Sequence, residues 1–206
     1  MAITINGTGT ITGISAGGLP DNCVTAADLA TTLDLSSNTI TLPSGTGGKI
    51  LQVKSTTKTG TQAYTSTNGT VVDITDLSLN ITPSASGNKI LITGFVSAGG
   101  ATDTNFNLHL YADGSEVGQA DAASNRRRAH SGYGYQNDGY FNYGIMPLPF
   151  NYLYTTTGTS EITIKVAMSQ GDVTNRSLYV NLSWYDNDDV FVNRQVSTLT
   201  IMEVAA

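Results

Sequence analysis

The chain has 206 residues, enough to bury one sizeable core, and only 13% of them are charged. Thr, Ser, Asn and Gly are abundant instead, a composition that suits β-rich proteins hydrated by hydroxyls and amides, and 39% hydrophobic content excludes a disordered chain. The net charge of −6 argues against a general nucleic-acid binder, which presents a basic face to phosphates.

Residues 1–48 read differently from the rest. "ITINGTGTITGISAGGLPDN" alternates Ile with Thr, Asn and Gly, predicting short strands or an extended arm with turns at the glycines. "CVTAADLATTLDL" follows, where Thr25 with Asp28 three residues on predicts a capped short helix. "LPSGTGG" then reads as a hinge. Ile11, Ile14, Leu29 and Leu33 are too few to form a core alone, so an ordered arm has to pack on something else, which points to assembly. Cys23 is the only cysteine, so neither an intramolecular disulfide nor a Cys-rich metal site is expected. "MAITINGTGTITG" lacks the basic start and apolar run of a signal peptide, and no stretch approaches the roughly 20 apolar residues of a membrane span. The expectation is a soluble chain made in a reducing cytoplasm, with no membrane insertion.

From Lys49 onward the pattern is strand after strand. Leu77, Leu79 and Ile81 alternate with polar residues, as do Phe106, Leu108 and Leu110, then Ile162 to Met168, and Leu178 to Trp184. Each run has the period-2 signature of a strand with one buried face. "NKILITGFVSAGG" is more continuously apolar and reads as a strand buried on both sides. Asp113-Gly114 lies between two strand-like runs and predicts a hairpin. Eight to ten strands and no helix after residue 48 predict an all-β antiparallel sandwich over residues 49–206, jelly-roll-like, carried behind the arm of residues 1–48.

"TINGTGTITGISAGGLPD" followed by "VTAADLA" resembles the N-terminal segment of tail-fibre and related virion proteins of tailed bacteriophages, of the marine and aquatic type. "GKILQVKSTTKT", "DLSLNITPSASGNKILITGFVSAG" and "STLTIMEVAA" resemble the β-domain of the same class. The resemblance implies a structural virion protein: a homotrimeric short tail fibre whose residues 1–48 attach it to tail or baseplate proteins, and whose head contacts the host. The chain carries a single Val-Thr-x-Ala unit and no long shaft. Related β-domains also decorate capsids, so a capsid decoration or cement protein without a host receptor is the alternative.

"SNRRRAHSGYGYQNDGYFNYG", residues 124–144, is the stretch with most chemistry. Arg126, Arg127 and Arg128 with Tyr133, Tyr135, Tyr140 and Tyr143 could grip nucleic acid, but three arginines in an acidic chain make a poor electrostatic funnel, and no nucleic-acid partner is expected. Tyrosine among Gly, Asn and Ser instead forms an adaptable contact surface, and arginine forks onto a carboxylate or phosphate of a host surface polysaccharide. The same residues could equally fill a seam between subunits of a trimer. The reading is a contact surface, with host and subunit both open.

Asp186, Asp188 and Asp189 crowd one turn, but lack the glycine and distant glutamate of an EF-hand, and no metal is assigned. No cofactor is expected. Cys23, His109 and His130 show no nucleophile, base and orienter pattern along the sequence, so the chain is not expected to be an enzyme. Five Asn-x-Ser/Thr sites, Asn181-Leu-Ser among them, are chance matches in a chain so rich in these residues.

Overall fold

The computed structural model describes residues 49–66, 69–101, 104–134, 142–171 and 175–206. The predicted arm and helix of residues 1–48 lie outside them. Among the described residues eleven strands are formed: β1 (Ile50–Lys58), β2 (Gln62–Ser66), β3 (Val72–Ile81), β4 (Lys89–Gly100), β5 (Phe106–Ala112), β6 (Ser115–Val117), β7 (Ser131–Tyr133), β8 (Ile145–Thr155), β9 (Ile162–Ser169), β10 (Arg176–Val180) and β11 (Ser197–Val204). They make two antiparallel sheets packed as a sandwich, the architecture that the alternation predicts. Among the described residues no helix is long and apolar enough to cross a membrane.

The first sheet is organised on β4, the run read as buried on both sides. β8 pairs along its whole length on one edge, from Lys89 opposite Thr155 to Gly99 opposite Ile145. The other edge is shared: β11 pairs with Lys89 to Phe95, and β10 with Ala98 to Gly100. Beyond these lie β1 against β11 and β2 against β10. The second sheet runs β3, β9, β5, and the far edge of β5 is likewise divided between β6 and β7. The Asp113-Gly114 turn closes the β5–β6 hairpin with both residues at positive φ, as a two-residue turn requires.

Inward-facing residues of both sheets form one core. Ile90, Ile92, Val96, Leu148, Phe150, Leu178, Leu199 and Ile201 come from the first sheet; Leu77, Ile81, Phe106, Leu108, Leu110, Ile164, Val166 and Met168 come from the second. Full burial of each such side chain is worth about 1.5–3 kcal/mol, so the core is the main source of stability. One predicted strand is shorter than its alternation implies. The run from Leu178 ends at Val180, because Asn181 takes a left-handed φ of 65° and turns the chain out of the sheet. Trp184 is consequently an exposed loop residue, edge-on to Tyr179.

Alternation along β5 leaves Asn107, His109 and Tyr111 on the outward face of the second sheet, while Phe106, Leu108 and Leu110 point into the core. That outward face is where the sequence-marked loop comes to lie.

Candidate functional site

The loop between β6 and β7, residues 118–130, carries the three arginines. Its base is closed by His130, whose backbone N–H donates to Leu108 O at 2.8 Å. The His130 ring completes the closure: Nδ1 meets Gly118 O at 3.0 Å, and Nε2 accepts from the Asn151 N–H at 3.3 Å. A carbonyl can only accept, so the ring proton is on Nδ1. Further out, Ala120 N–H donates to Ala129 O at 3.2 Å, and Arg128 Nε to Ala120 O at 2.8 Å. Arg126 N–H turns back to Ala123 O at 3.1 Å. A loop bonded across its own neck holds its tip in place while Arg126, Arg127 and Arg128 remain exposed.

Between loop and sheet runs a cleft of about 560 Å³ lined by Arg126, Arg127, Arg128, His109, Ser169 and Gly171, with Gly69 and the Ser124-Asn125 turn at its margin. Gly69 has φ +78°, and a methyl group there would collide with the Arg127 guanidinium. Gly69→Ala is therefore expected to cost about 1 kcal/mol in backbone strain and to push Arg127 out of place. Urea unfolding and anion binding by the variant check this; wild-type behaviour in both would remove Gly69 from the cleft.

The cleft floor is polar and tightly bonded. His109 Nδ1 lies 2.5 Å from Glu116 Oε1, and His109 Nε2 lies 2.8 Å from Ser169 Oγ. His109 is 5% exposed and Ser169 3%, although both stand on the outward face of their strands, because the cleft walls cover them. Glu116 also faces Tyr111: burial, then the Glu116 and Asp73 charges, raise the Tyr111 phenol above its ordinary value. Next to this group, Gly171 N–H donates to Asn105 Oδ1 at 2.5 Å.

The structure separates the sequence-marked residues. The three arginines share the cleft rim. Tyr133 does not join them: β7 aligns it with Phe106, and its ring packs on Phe106 in the core at 5.9 Å between centroids. Burial pushes its phenol far above the ordinary tyrosine range. Tyr143 is exposed, and its ring lies tilted against Tyr185 at 4.9 Å between centroids. Tyr135, Tyr140 and Cys23 lie outside the described residues. In the acidic turn, Asp186 is paired with Arg194 at 2.6 Å, and Asp189 Oδ1 accepts from Phe191 N–H at 3.1 Å. Two of the three carboxylates thus have partners from the turn itself.

Sequence reasoning missed Ser169 and Glu116. Glu116 was within reach: a two-residue Asp-Gly turn puts Glu116 opposite Tyr111 and diagonal to His109. Ser169 gave no signal, since its place beside His109 depends on β9 pairing with β5, 60 residues away.

No family model and no curated protein matches the sequence. Among solved structures, the chain is similar to a structure of the infectious bursal disease virus Gx strain, at 16% identity and TM-score 0.39, over 82% of this chain and 42% of that one. It is similar to the VP2 subviral particle of the same virus at 17% identity and TM-score 0.39, over 75% and 38%. The EclA C-terminal domain, a sugar-binding protein, matches at 12% identity and TM-score 0.34, over 82% of this chain and 99% of that one. The chain spans about two fifths of the length of the bursal disease virus proteins it matches.

Proposed function

We infer that this chain is a structural virion protein, the head and attachment arm of a trimeric short tail fibre, and that it touches the host surface with the arginine-rimmed cleft. The observation that carries the host-contact part is the loop of residues 118–130. It is bonded closed at its neck, yet it presents three arginines above a polar cleft of about 560 Å³. A planar guanidinium forks onto a carboxylate or phosphate, so three of them on one loop suit an acidic saccharide. The attachment role of residues 1–48 and the trimer are supported by the resemblance of "TINGTGTITGISAGGLPD" and "VTAADLA" to virion arms.

The test has two parts. Gold-labelled antibody to the folded protein should mark the tail or baseplate of intact particles. Label over the capsid would replace the fibre with a decoration protein, and no label would end the virion reading. Purified full-length protein should bind acidic polysaccharides better than neutral ones, and less well as salt rises. Arg126→Ala with Arg127→Ala should weaken this at least about tenfold, or ~1.4 kcal/mol. Equal binding by a correctly folded double variant would take the contact away from the cleft.

A further inference from the structure

We propose that the floor of the cleft is a serine esterase centre, with Ser169 as nucleophile, His109 as its base and Glu116 as the positioning residue. Three strands of one sheet bring them together: Ser169 ends β9, His109 is central in β5, and Glu116 is in β6. An ionised carboxylate can only accept, so the 2.5 Å contact puts a proton on His109 Nδ1. In the neutral ring Nε2 is then an acceptor, and the Ser169 hydroxyl at 2.8 Å donates to it. That is the arrangement in which a serine proton can leave as the oxygen attacks, and it recurs on unrelated folds because geometry alone defines it. The trio lies on the outward face, so the core does not need it. Both Ser169 and His109 line the cleft.

The reaction balances with water as the only co-reactant. Ser169 Oγ adds to an ester carbonyl carbon while its proton passes to His109 Nε2. The carbon–oxygen bond to the alcohol then breaks, and the departing oxygen takes that proton. Water adds to the acyl carbon on Ser169, giving a proton to His109. Collapse returns the proton to Ser169 Oγ and releases the carboxylic acid. Glu116 Oε1 accepts from His109 Nδ1–H and holds the ring. Arg127, packed along Gly171 and Gly69, brings positive charge to the cleft that Ser169 lines. The substrate class is a carboxylic ester on an anionic carrier. The carrier's charge rests on the reading of the arginine rim given above; the ester chemistry rests on the trio alone.

The probe is an alkyl fluorophosphonate, which forms an oxygen–phosphorus bond to an activated serine with loss of fluoride. Incubated with the full-length native chain, it should modify one serine, found by mass spectrometry in the peptide containing Ser169. Ser169→Ala should abolish the modification, and His109→Gln should slow it by about a thousandfold. Glu116→Gln should slow it roughly ten- to hundredfold and displace its pH profile, which loss of packing would not do. Hydrolysis of 4-nitrophenyl acetate should follow the same order. The wild-type labelling stands even if a variant does not fold. The proposal is overturned if native Ser169 is unmodified, if urea-unfolded protein labels as fast, or if folded His109→Gln labels at the wild-type rate. Labelling at Ser169 without polysaccharide binding would uphold the esterase and sink the host-contact reading; binding without labelling would do the reverse.

Discussion

Replacing Asn181 with alanine is expected to lower the unfolding free energy by about 3–4 kcal/mol. The site is the seam where the edge of β4 passes from β11 to β10. Asn181 is 0% exposed and closes that seam in three directions. Its Nδ2 donates to Lys58 O and Gly60 O, both at 2.9 Å, which ties down the turn from β1 to β2. Its Oδ1 accepts from Ser197 Oγ at 2.6 Å, and that hydroxyl in turn accepts from Ser97 N–H at 3.0 Å. Its own N–H donates to Ser97 O at 2.8 Å. Alanine leaves the buried Lys58 carbonyl and Ser197 hydroxyl without this partner, at about 1–3 kcal/mol for each, while water can reach the Gly60 carbonyl. It also carries the strain of a left-handed φ that asparagine tolerates better. Asn181→Gly should therefore be less damaging by about 1 kcal/mol. Asn181→Asp should be at least as damaging as alanine, because it turns a carboxylate oxygen toward two carbonyls. Urea unfolding at neutral pH measures all three. A loss below about 1 kcal/mol for alanine would mean that the seam is held by its neighbours.

Glu203 gives the second large effect, and one that depends on pH. It is fully buried in β11 and accepts four hydrogen bonds: from Gln52 Nε2 and Asn88 Nδ2 at 2.6 Å, from Ser84 N–H at 2.7 Å and from Ser84 Oγ at 2.8 Å. Burial alone would raise its carboxyl, but the donors from Gln52, Asn88 and Ser84 outweigh burial and bring it from 4.5 down to about 2. A carboxyl more acidic in the folded chain stabilises the fold fully above pH 4.5. That contribution disappears as the pH falls toward 2. A shift of this size corresponds to roughly 3 kcal/mol. Glu203→Gln should cost about 2–3 kcal/mol at pH 7, because the amide nitrogen faces a donor where an oxygen accepted. It should also flatten the decline in Tm between pH 4.5 and 2. If wild type and variant lost stability in parallel over that window, acid sensitivity would have to come from other carboxylates.

How much of this could be read in advance depends on how far apart in the chain the cooperating residues lie. The sandwich was legible because one-sided burial is written locally, in the alternation of Phe106 to Leu110 or Ile162 to Met168. The β5–β6 hairpin was legible from Asp113-Gly114. The end of β10 was not, because the alternation continues through Trp184. What stops the strand is the bonding of Asn181 to Ser97, Ser197 and Lys58, residues from three distant segments. The arginines were legible as a contact surface, but not their cleft, whose floor comes from β5 and β9. Tyr133 was misleading for a local reason. It shares the Gly-Tyr-Gly-Tyr composition of an exposed loop, yet its register opposite Phe106 turns it into the core.

The placement of β11 bears on how the chain acquires its fold. Among the described residues β1 has one ladder partner, β11, and Gln52 meets Glu203, 151 positions further along the chain. At ribosomal speed, β1 waits on the order of ten seconds before the strand that completes it has been made. During that interval both hydrogen-bonding edges of β1 are open, and Ile50, Leu51 and Val53, still exposed in the finished sheet, lie along it. β4 likewise lacks the neighbour for half of one edge. The first sheet is thus closed from its middle by β11, which follows all its other strands in the chain. Pairing between strands so far apart in the chain is the kind that forms slowly, because loop closure comes before the contacts that reward it.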